Sequence, residues 1–350
     1  MNTLPQHSRK SRGVALIIVL GFVAMLSLLI AGLMETLRTR LVEGEQAEQR
    51  ITLRADAESA LAVMAGRLAV FENDTSGIYL NSGDLERIAA DPLSGWTPSD
   101  GAVVTVKIRD ESGLFPINTT NTTVLSGMFQ DLGVGEDRAA ALADCLADWI
   151  DTDSNRRPLG AEADDYGVPG LPGNRKLRSF AELRKVKGFD ELFFEADGSP
   201  NPTGVELASV ITFLDTGTGP NVNTAPESVL NILAVRSGVD VGGILSSRIA
   251  LNYPDERTHS TVFKSVTDLV RIGAPADFGS RVTYSSRGVR VIVTASKGDI
   301  KYVIDAILSM NTANSNVPVT VSRRTDESLL GDEGSDVYTG ASDIPPGVTN

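Results

Sequence analysis

The longest apolar stretch of the chain lies near its N-terminus and predicts a membrane-spanning helix. Basic residues at positions 9, 10 and 12 precede Gly13, and residues 14–34 carry no charge. A run of about 21 such residues is long enough to cross a bilayer as an α-helix at about 1.5 Å per residue. Because cationic side chains resist crossing, the basic flank is expected to stay in the cytoplasm while the rest of the chain is exported.

A secretory signal peptide or a plain signal anchor would give the same hydropathy, and from hydropathy alone it would be favoured. A signal peptide is cut after its apolar run, however, whereas Gly13 lies before this run, which is also longer than a signal core. The helical pattern then continues to Phe71, interrupted only by two glycines. We therefore expect one helix over 14–71, whose later part packs on a globular domain through Leu61, Met64 and Leu68.

Further along, apolar and polar residues alternate in short segments that predict an antiparallel sheet. These segments are 103–109, 281–285, 288–294 and 301–308. Between the first and second, helical periodicity replaces alternation, so the predicted fold class is α+β with a large α-helical insert. From 311 to 350 the chain is polar and rich in glycine and proline, which predicts a disordered tail.

The predicted insert contains an internal repeat. The residues around Asn118 recur around Asn223 at a constant offset (223 − 118 = 105). Each copy predicts a turn, a helix, a glycine hairpin and a second helix. In the second copy Thr224 is expected to cap the first helix, with Pro226 in its first turn. A further helix is expected after each copy, at 179–188 and at 263–273.

Composition argues against nucleic acid as a partner and against catalysis. The net charge is −13 and the pI is near 4.7, whereas phosphate binding needs a basic face. Cys145 is the only cysteine, so it forms no intramolecular disulfide and is expected to be a small buried residue. The only histidines are His7 and His259, and the sequence contains no nucleophile elbow, phosphate-binding loop or zinc-ligand spacing. An enzyme is therefore not expected.

An acidic segment in the first half of the insert has spacing typical of a calcium site. Asp151, Asp153, Asn155 and Glu162 fall at positions 1, 3, 5 and 12 of an EF-hand-like loop. It is not an EF-hand, because Arg156 replaces the glycine that such a loop needs. Oxygen ligands this dense favour Ca²⁺ over Zn²⁺. The alternative is a solvated acidic loop whose carboxylates pair with the neighbouring arginines at 156 and 157.

Several of these features together resemble one known family, minor pseudopilin K of the type II secretion system. The basic-Gly-apolar start is similar to the signal of pilins, which implies cleavage by a prepilin peptidase between Gly13 and Val14. Most pilins carry Glu at the fifth mature position, but pseudopilin K lacks it, and Ile18 stands there in this chain. That Glu is thought to neutralise the amine of the neighbouring subunit towards the tip, so its absence fits a subunit with nothing above it. Residues 110–119 and 148–166 also resemble segments of that family.

The resemblance, which covers about residues 9–310, implies a fold, a metal and partners. The fold is a pilin-like long helix packed on an antiparallel sheet, with a two-half insert similar to helix-hairpin-helix modules. The family's acidic loop helps to bind calcium. Carried over to this sequence, the candidate Ca²⁺ ligands are Asp148, Asp151, Asp153, Glu162 and Asp165. The implied domains are a leader (1–13), a transmembrane part (14–34), a pilin-like helix and first sheet part (35–118), the insert (119–275), C-terminal strands (276–310) and the disordered tail (311–350).

By resemblance, the expected function is that of a non-enzymatic tip subunit of the pseudopilus, which starts assembly and supports protein export across the outer membrane. The expected partners are minor pseudopilins I and J, other pseudopilus and inner-membrane secretion components, and the prepilin peptidase. The expected location is the inner membrane, crossed once, with most of the chain in the periplasm.

Two alternatives remain open. One is a membrane-anchored DNA-binding protein, since the repeat resembles helix-hairpin-helix modules. Its hairpins, at 133–137 and 238–242, each carry acid, which disfavours phosphate contact. The other is a tip subunit of a type IV pilus.

Overall fold

The computed structural model describes residues 11–330, apart from positions 72, 75–76, 100, 236, 250–261 and 311–318. The predicted leader up to residue 10, both histidines and the last 20 residues of the predicted tail therefore lie outside the described residues. The chain divides into two compact units, Met1–Thr52 and Leu53–Asn350.

The predicted long helix is confirmed and forms α1, Ser11–Leu68. In the first unit, its large apolar side chains from Leu16 to Met34 are between 49% and 75% exposed. A helix this long and this apolar can cross a membrane. A soluble protein would bury apolar side chains like these in its core, whereas here a bilayer would cover them.

The remaining elements belong to the second unit. Its other helices are α2 (Ser82–Ala90), α3 (Thr122–Asp131), α4 (Glu136–Ile150), α5 (Ala163–Tyr166), α6 (Asp190–Phe193), α7 (Pro202–Val210), α8 (Glu227–Ala234), α9 (Val241–Ile249), α10 (Val266–Arg271) and α11 (Ala276–Gly279). Two 3₁₀ helices cover Glu111–Gly113 and Phe180–Lys185. The strands are β1 (Asn73–Asp74), β2 (Gly77–Ile78), β3 (Val103–Asp110), β4 (Phe115–Pro116), β5 (Ile211–Thr212), β6 (Gly288–Lys297), β7 (Ile300–Met310) and β8 (Val319–Leu330).

The main sheet has four antiparallel strands in the order β3-β6-β7-β8. One face packs against the last part of α1, where side chains at helical spacing meet side chains at every second position of β6. The buried residues of this contact include Leu53, Ala57, Leu61, Met64, Leu68, Val289, Val291 and Val293. The predicted pilin-like arrangement of a long helix on an antiparallel sheet is confirmed.

The C-terminal segment contains a strand that the sequence analysis did not predict. The predicted disordered tail begins at 311, yet β8 pairs with β7 along its length, so the prediction is wrong for Val319–Leu330. Polar contacts to β7 and to α1 replace apolar burial in this edge strand. Tyr302 Oη donates to Asp326 Oδ2 at 2.9 Å, and Arg324 pairs with Glu58 at 3.1 Å. A fragment that ends at residue 310 would lack this strand.

The predicted strand at 281–285 does not join the main sheet, so this expectation is also wrong. Within the described residues, Thr283 instead forms an isolated parallel bridge with Asn221. The backbone N–H of Val222 donates to Thr283 O at 2.9 Å, and Val282 lies in the core of the insert. The segment is extended because it pairs with the repeat rather than with a strand.

Both copies of the repeat form the predicted helix hairpins, α3–α4 and α8–α9. Gly133 and Gly238 lie at equivalent positions (238 − 133 = 105) and have φ values of +86° and +61°, a conformation that favours glycine. The further helix of the second copy is present as α10. That of the first copy is a 3₁₀ helix rather than an α-helix, and it is short, as is usual for this type.

Two equivalent asparagines hold each half of the insert together. Asn118 Nδ2 donates to Leu177 O at 2.9 Å, and Leu177 N donates back to Asn118 Oδ1 at 2.8 Å. Asn223 makes the same pair of bonds with Phe263, at 2.9 and 2.8 Å. The second amide hydrogen of each asparagine bonds to another backbone carbonyl, at 3.1 and 2.8 Å. The repeat seen in the sequence is therefore a repeat of hydrogen bonding.

The end of β3 connects the sheet to both halves of the insert. Asp110 Oδ2 accepts from Ser286 Oγ at 2.5 Å and from Thr224 Oγ1 at 2.6 Å. Glu111 Oε2 accepts from Thr212 Oγ1 at 2.7 Å. Burial raises the pKa of Asp110 above its usual value, although these hydroxyls favour its charged form. α8 begins at Glu227 with Pro226 as its N-cap and no side-chain cap, so the predictions that Thr224 caps this helix and that Pro226 lies in its first turn are wrong.

Replacing Asn223 tests the role of the repeated asparagines. Asn223→Ala should lower the free energy of unfolding by about 2–3 kcal/mol, because buried backbone groups of Phe263 and Tyr284 lose their partners. Urea denaturation followed by circular dichroism measures this change. The exposed Asn231→Ala is the matched control, with an expected effect within about 0.5 kcal/mol. Equal losses in the two variants would contradict the role assigned to Asn223.

Candidate metal centre

The candidate site lies in the loop between α4 and α5. Leu142, Leu146 and Trp149 recur at helical spacing along α4 and are buried in the core of the insert. The helix ends at Ile150, and the backbone N–H of Asp151 donates to Ala147 O at 3.0 Å. The loop therefore starts from a helix whose position is fixed by packing.

Three of the five predicted ligands converge. One carboxylate oxygen from each of Asp151, Asp153 and Glu162 lies within 4.8 Å of the other two. The backbone N–H of Asn155 donates to Asp153 Oδ1 at 2.7 Å, which turns the loop at this point. Glu162 precedes α5, and its N–H donates to Asp165 Oδ2 at 3.0 Å. Local backbone bonds thus place the three carboxylates.

Part of the negative charge of the cluster lacks matching donors. In the part of the chain that the structure describes, Asp151 Oδ1 and Glu162 Oε1 are buried and accept no hydrogen bond. Burial raises the pKa of Glu162, and the charges of Asp148, Asp151 and Asp153 raise it further. An unpaired buried carboxylate oxygen is costly, and a bound cation would remove this cost.

Asp148 lies outside the cluster and supports the loop. Its side chain is 0% exposed, and Arg157 bonds to it twice, through Nη1 at 2.6 Å and the backbone N–H at 3.1 Å. The same Nη1 contacts Asp151 Oδ2 at 2.5 Å. A Cβ on Gly160 would come within 1.9 Å of Asp148 Oδ2, so the loop closes tightly over this carboxylate.

Asp165 is likewise outside the cluster and is paired with cations. Arg156 Nη1 donates to it at 3.1 Å, and Lys187 Nζ lies 3.7 Å away. Its hydrogen bond from the N–H of Glu162, together with the charge of Arg156, lowers its pKa. The arginine pairing that was the alternative to calcium is therefore present for Asp148, Asp165 and one oxygen of Asp151.

The three convergent carboxylates fit a hard divalent cation. They offer only oxygen donors, and two of these oxygens are otherwise unsatisfied. This donor set matches Ca²⁺ rather than a metal that prefers nitrogen or sulfur. Asp151, Asp153 and Glu162 would hold the ion, which would tie the end of α4 to the start of α5. The calcium assignment stays a prediction.

Cys145 lies beside this loop and is buried, as the sequence predicted. Its Sγ is 3.5 Å from Leu159 O, and burial raises its pKa to about 11. The thiol is thus protonated at neutral pH and protected as long as the loop is closed.

The hairpins retain acid at the positions where a DNA phosphate would bind. Glu136 and Asp137 are exposed in the first turn of α4, and Asp240 lies in the second hairpin. Carboxylates here would repel a phosphate. The described residues give the DNA-binding alternative no added support.

One charged residue was missed by sequence reasoning. Arg248 is buried on α9, and the repeat could have indicated it, because the equivalent position of the first half is Ala143 (248 − 143 = 105). The two halves thus differ at a core position where a repeat would conserve apolar character.

Comparisons with known proteins agree with the fold. The model of a family described as type II secretion system protein K matches residues 105–196. Type II secretion system protein K of Pseudomonas aeruginosa is 28% identical over 323 residues, which is 86% of this chain and 89% of the relative. Protein K of Pectobacterium carotovorum is 31% identical over 111 residues, 27% of this chain and 34% of the relative.

A solved structure is also similar. It is a chain of the GspK-GspI-GspJ complex from the type 2 secretion system of enterotoxigenic Escherichia coli, with a TM-score of 0.57 and 16% identity. The match covers 82% of this chain and 99% of that chain. At this identity the likeness concerns the fold.

The fold therefore defines a pilin-like subunit with a helical insert in its head. The resemblance predicted from the sequence is confirmed as well: the chain is similar to protein K of the type II secretion system.

A calcium ion held by Asp151, Asp153 and Glu162 would stabilise the loop, so its removal is a direct test of the prediction. Chelation should lower the melting temperature of the full chain, and Ca²⁺ but not Mg²⁺ should restore it, since binding to the folded state adds about 2.7 kcal/mol at 100 times Kd. Chelation should also speed labelling of Cys145 by a thiol reagent, because the loop covers it.

Two variants make this test specific. Asp153→Ala should abolish both calcium effects, whereas the exposed neighbour Asp164→Ala should keep them. Wild type that melts and labels identically with and without Ca²⁺ would leave only arginine pairing to hold the loop.

Proposed function

We propose that this chain is a minor pseudopilin at the tip of the type II secretion pseudopilus. In this role it starts pseudopilus assembly with minor pseudopilins I and J and supports export of proteins across the outer membrane. The observation that carries the proposal is a pilin-like helix and sheet with a large helical insert. The solved relative crystallised with GspI and GspJ supports the choice of partners.

Two features favour the tip over the shaft. Ile18 stands where other pilins carry the Glu that contacts the next subunit, and an unpaired carboxylate in lipid would cost several kcal/mol. The insert adds a second hydrophobic core to the head. Pilin helices pack closely in a shaft, so a head of this width is accommodated more easily where neighbours lie on one side only.

The long apolar part of α1 supports the proposed location. We place the chain in the inner membrane with one crossing, and most of its residues in the periplasm, where it meets other pseudopilus and inner-membrane components. A prepilin peptidase would remove residues 1–13. We assign it no catalytic role, and the calcium ion would have a structural role in the insert.

Cleavage between Gly13 and Val14 is directly testable. Intact-mass measurement of the protein from cells with the peptidase should show loss of residues 1–13, because the cut lies before the apolar run. Gly13→Leu should retain the leader, while Gly21→Leu, inside the run, should be processed as wild type. A mature protein that begins after Met34 would instead indicate an ordinary signal peptide.

The tip position predicts contacts on one side only. Cross-linking of assembled pseudopili should join this chain to minor pseudopilins, with at most one copy per filament, and a stable interface would bury about 800 Å² per partner. The substitution Ile18→Glu should reduce protein export, because the new carboxylate would have no partner at the tip. Recovery of the chain at regular intervals along the shaft would refute the tip assignment.

A further inference from the structure

Arg248 is a buried cation with most of its donors unused. Its side chain lies on α9, the residue is 3% exposed, and Nη1 donates to Ala225 O at 2.8 Å. Nε and Nη2 are buried and have no partner in the described part of the chain. Burial lowers its pKa to about 10, so the guanidinium still carries its charge at neutral pH.

The unused donors form the edge of the guanidinium that binds carboxylates elsewhere in this protein. Arg324 uses Nε and Nη2 to contact the two oxygens of Asp326, each at 2.6 Å. Arg290 uses the same edge for both oxygens of Asp305, with Nε at 2.8 Å. This two-point geometry matches a carboxylate. In Arg248 the same edge is buried without one.

A helix start next to Arg248 adds positive potential. Ala225, which accepts from Arg248, directly precedes Pro226, the N-cap of α8. No side chain caps this eight-residue helix, and the first N–H groups of a helix have no intrahelical acceptor. A buried cation and a helix N-terminus thus lie together.

The first half of the insert lacks both features. At the position equivalent to Pro226, Asn121 caps α3 by accepting from the N–H of Thr123 at 2.8 Å (226 − 121 = 105). At the position equivalent to Arg248 it has the apolar Ala143, which is buried. The second half therefore has an uncapped helix and a buried cation where the first half has a capped helix and an apolar core residue.

We propose that Arg248 and the first turn of α8 form a binding site for one carboxylate group. The Nε–Nη2 edge takes both oxygens, and the helix N-terminus favours the negative charge. Within the described residues no carboxylate pairs with Arg248. The inference does not depend on the tip assignment.

The test uses the full chain in lipid nanodiscs, with acetate as the probe. Melting temperature is measured at neutral pH and constant ionic strength while about 200 mM sodium chloride is replaced by sodium acetate. Wild type should gain about 2–4 °C. Arg248→Met should melt higher than wild type in chloride, because an unpaired buried charge is removed, and should not respond to acetate. Arg248→Lys keeps the charge but loses the two-point Nε–Nη2 edge, so acetate should raise its melting temperature only weakly.

Control variants and a second anion show whether stabilisation by acetate comes from binding at Arg248. Arg178→Met, at an exposed arginine, should respond to acetate as wild type does. A wild type without a response, or a response that survives Arg248→Met, would overturn the site. Stabilisation by sulfate but not by acetate would overturn the carboxylate class. If acetate acts only on the Asp255→Asn/Glu256→Gln double variant, the chain's own acid fills the site and a partner does not.

Discussion

Two adjacent buried carboxylates at the end of β3 hold the head together. Asp110 takes hydrogen bonds from Thr224 of the second half of the insert and from Ser286 before β6, and Glu111 takes one from Thr212 of the first half. A buried carboxylate that loses its donors keeps the full cost of desolvation. Both halves are therefore fixed to the same end of the sheet, since movement of either half would remove a hydrogen bond from one of these buried carboxylates.

The halves that meet there have diverged in charge. Both keep the hairpin and the hydrogen bonds from Asn118 or Asn223 to backbone groups, which hold each half together. The first half has gained the acidic loop around Asp153, and the second has gained the buried cation Arg248. Each change places like charges or an unpaired charge where a structural repeat would place neutral groups, and each is costly unless something binds. A cation bound at the acidic loop and a carboxylate bound at Arg248 would remove these costs.

The parts of the fold that were predictable are those with a local signal. The long helix, β3, β6, β7 and both hairpins follow from periodicity and from glycines at the turns. β8 was missed because its polar side chains gain their contacts from β7 and from Glu58, which no local pattern encodes. In the acidic loop, spacing identified the segment in which three carboxylates converge. Spacing could not show which carboxylates of the segment converge and which pair with arginines. Asp148 pairs with Arg157 and Asp165 pairs with Arg156, and this pairing depends on how the loop closes.

The topology explains how a pilin sheet can carry so large an insert. The insert lies between β3 and β6, which are neighbours in the sheet, and Asp110 at the end of β3 pairs with Val289 at the start of β6. The chain therefore leaves the sheet and returns to it at adjacent points, as in a hairpin with a very long connection. The entropic cost of closing a loop rises only with the logarithm of its length, and the insert offsets this cost with its own core. The sheet can thus pack against α1 as in a pilin-like fold, while the insert forms a second core at one end of it.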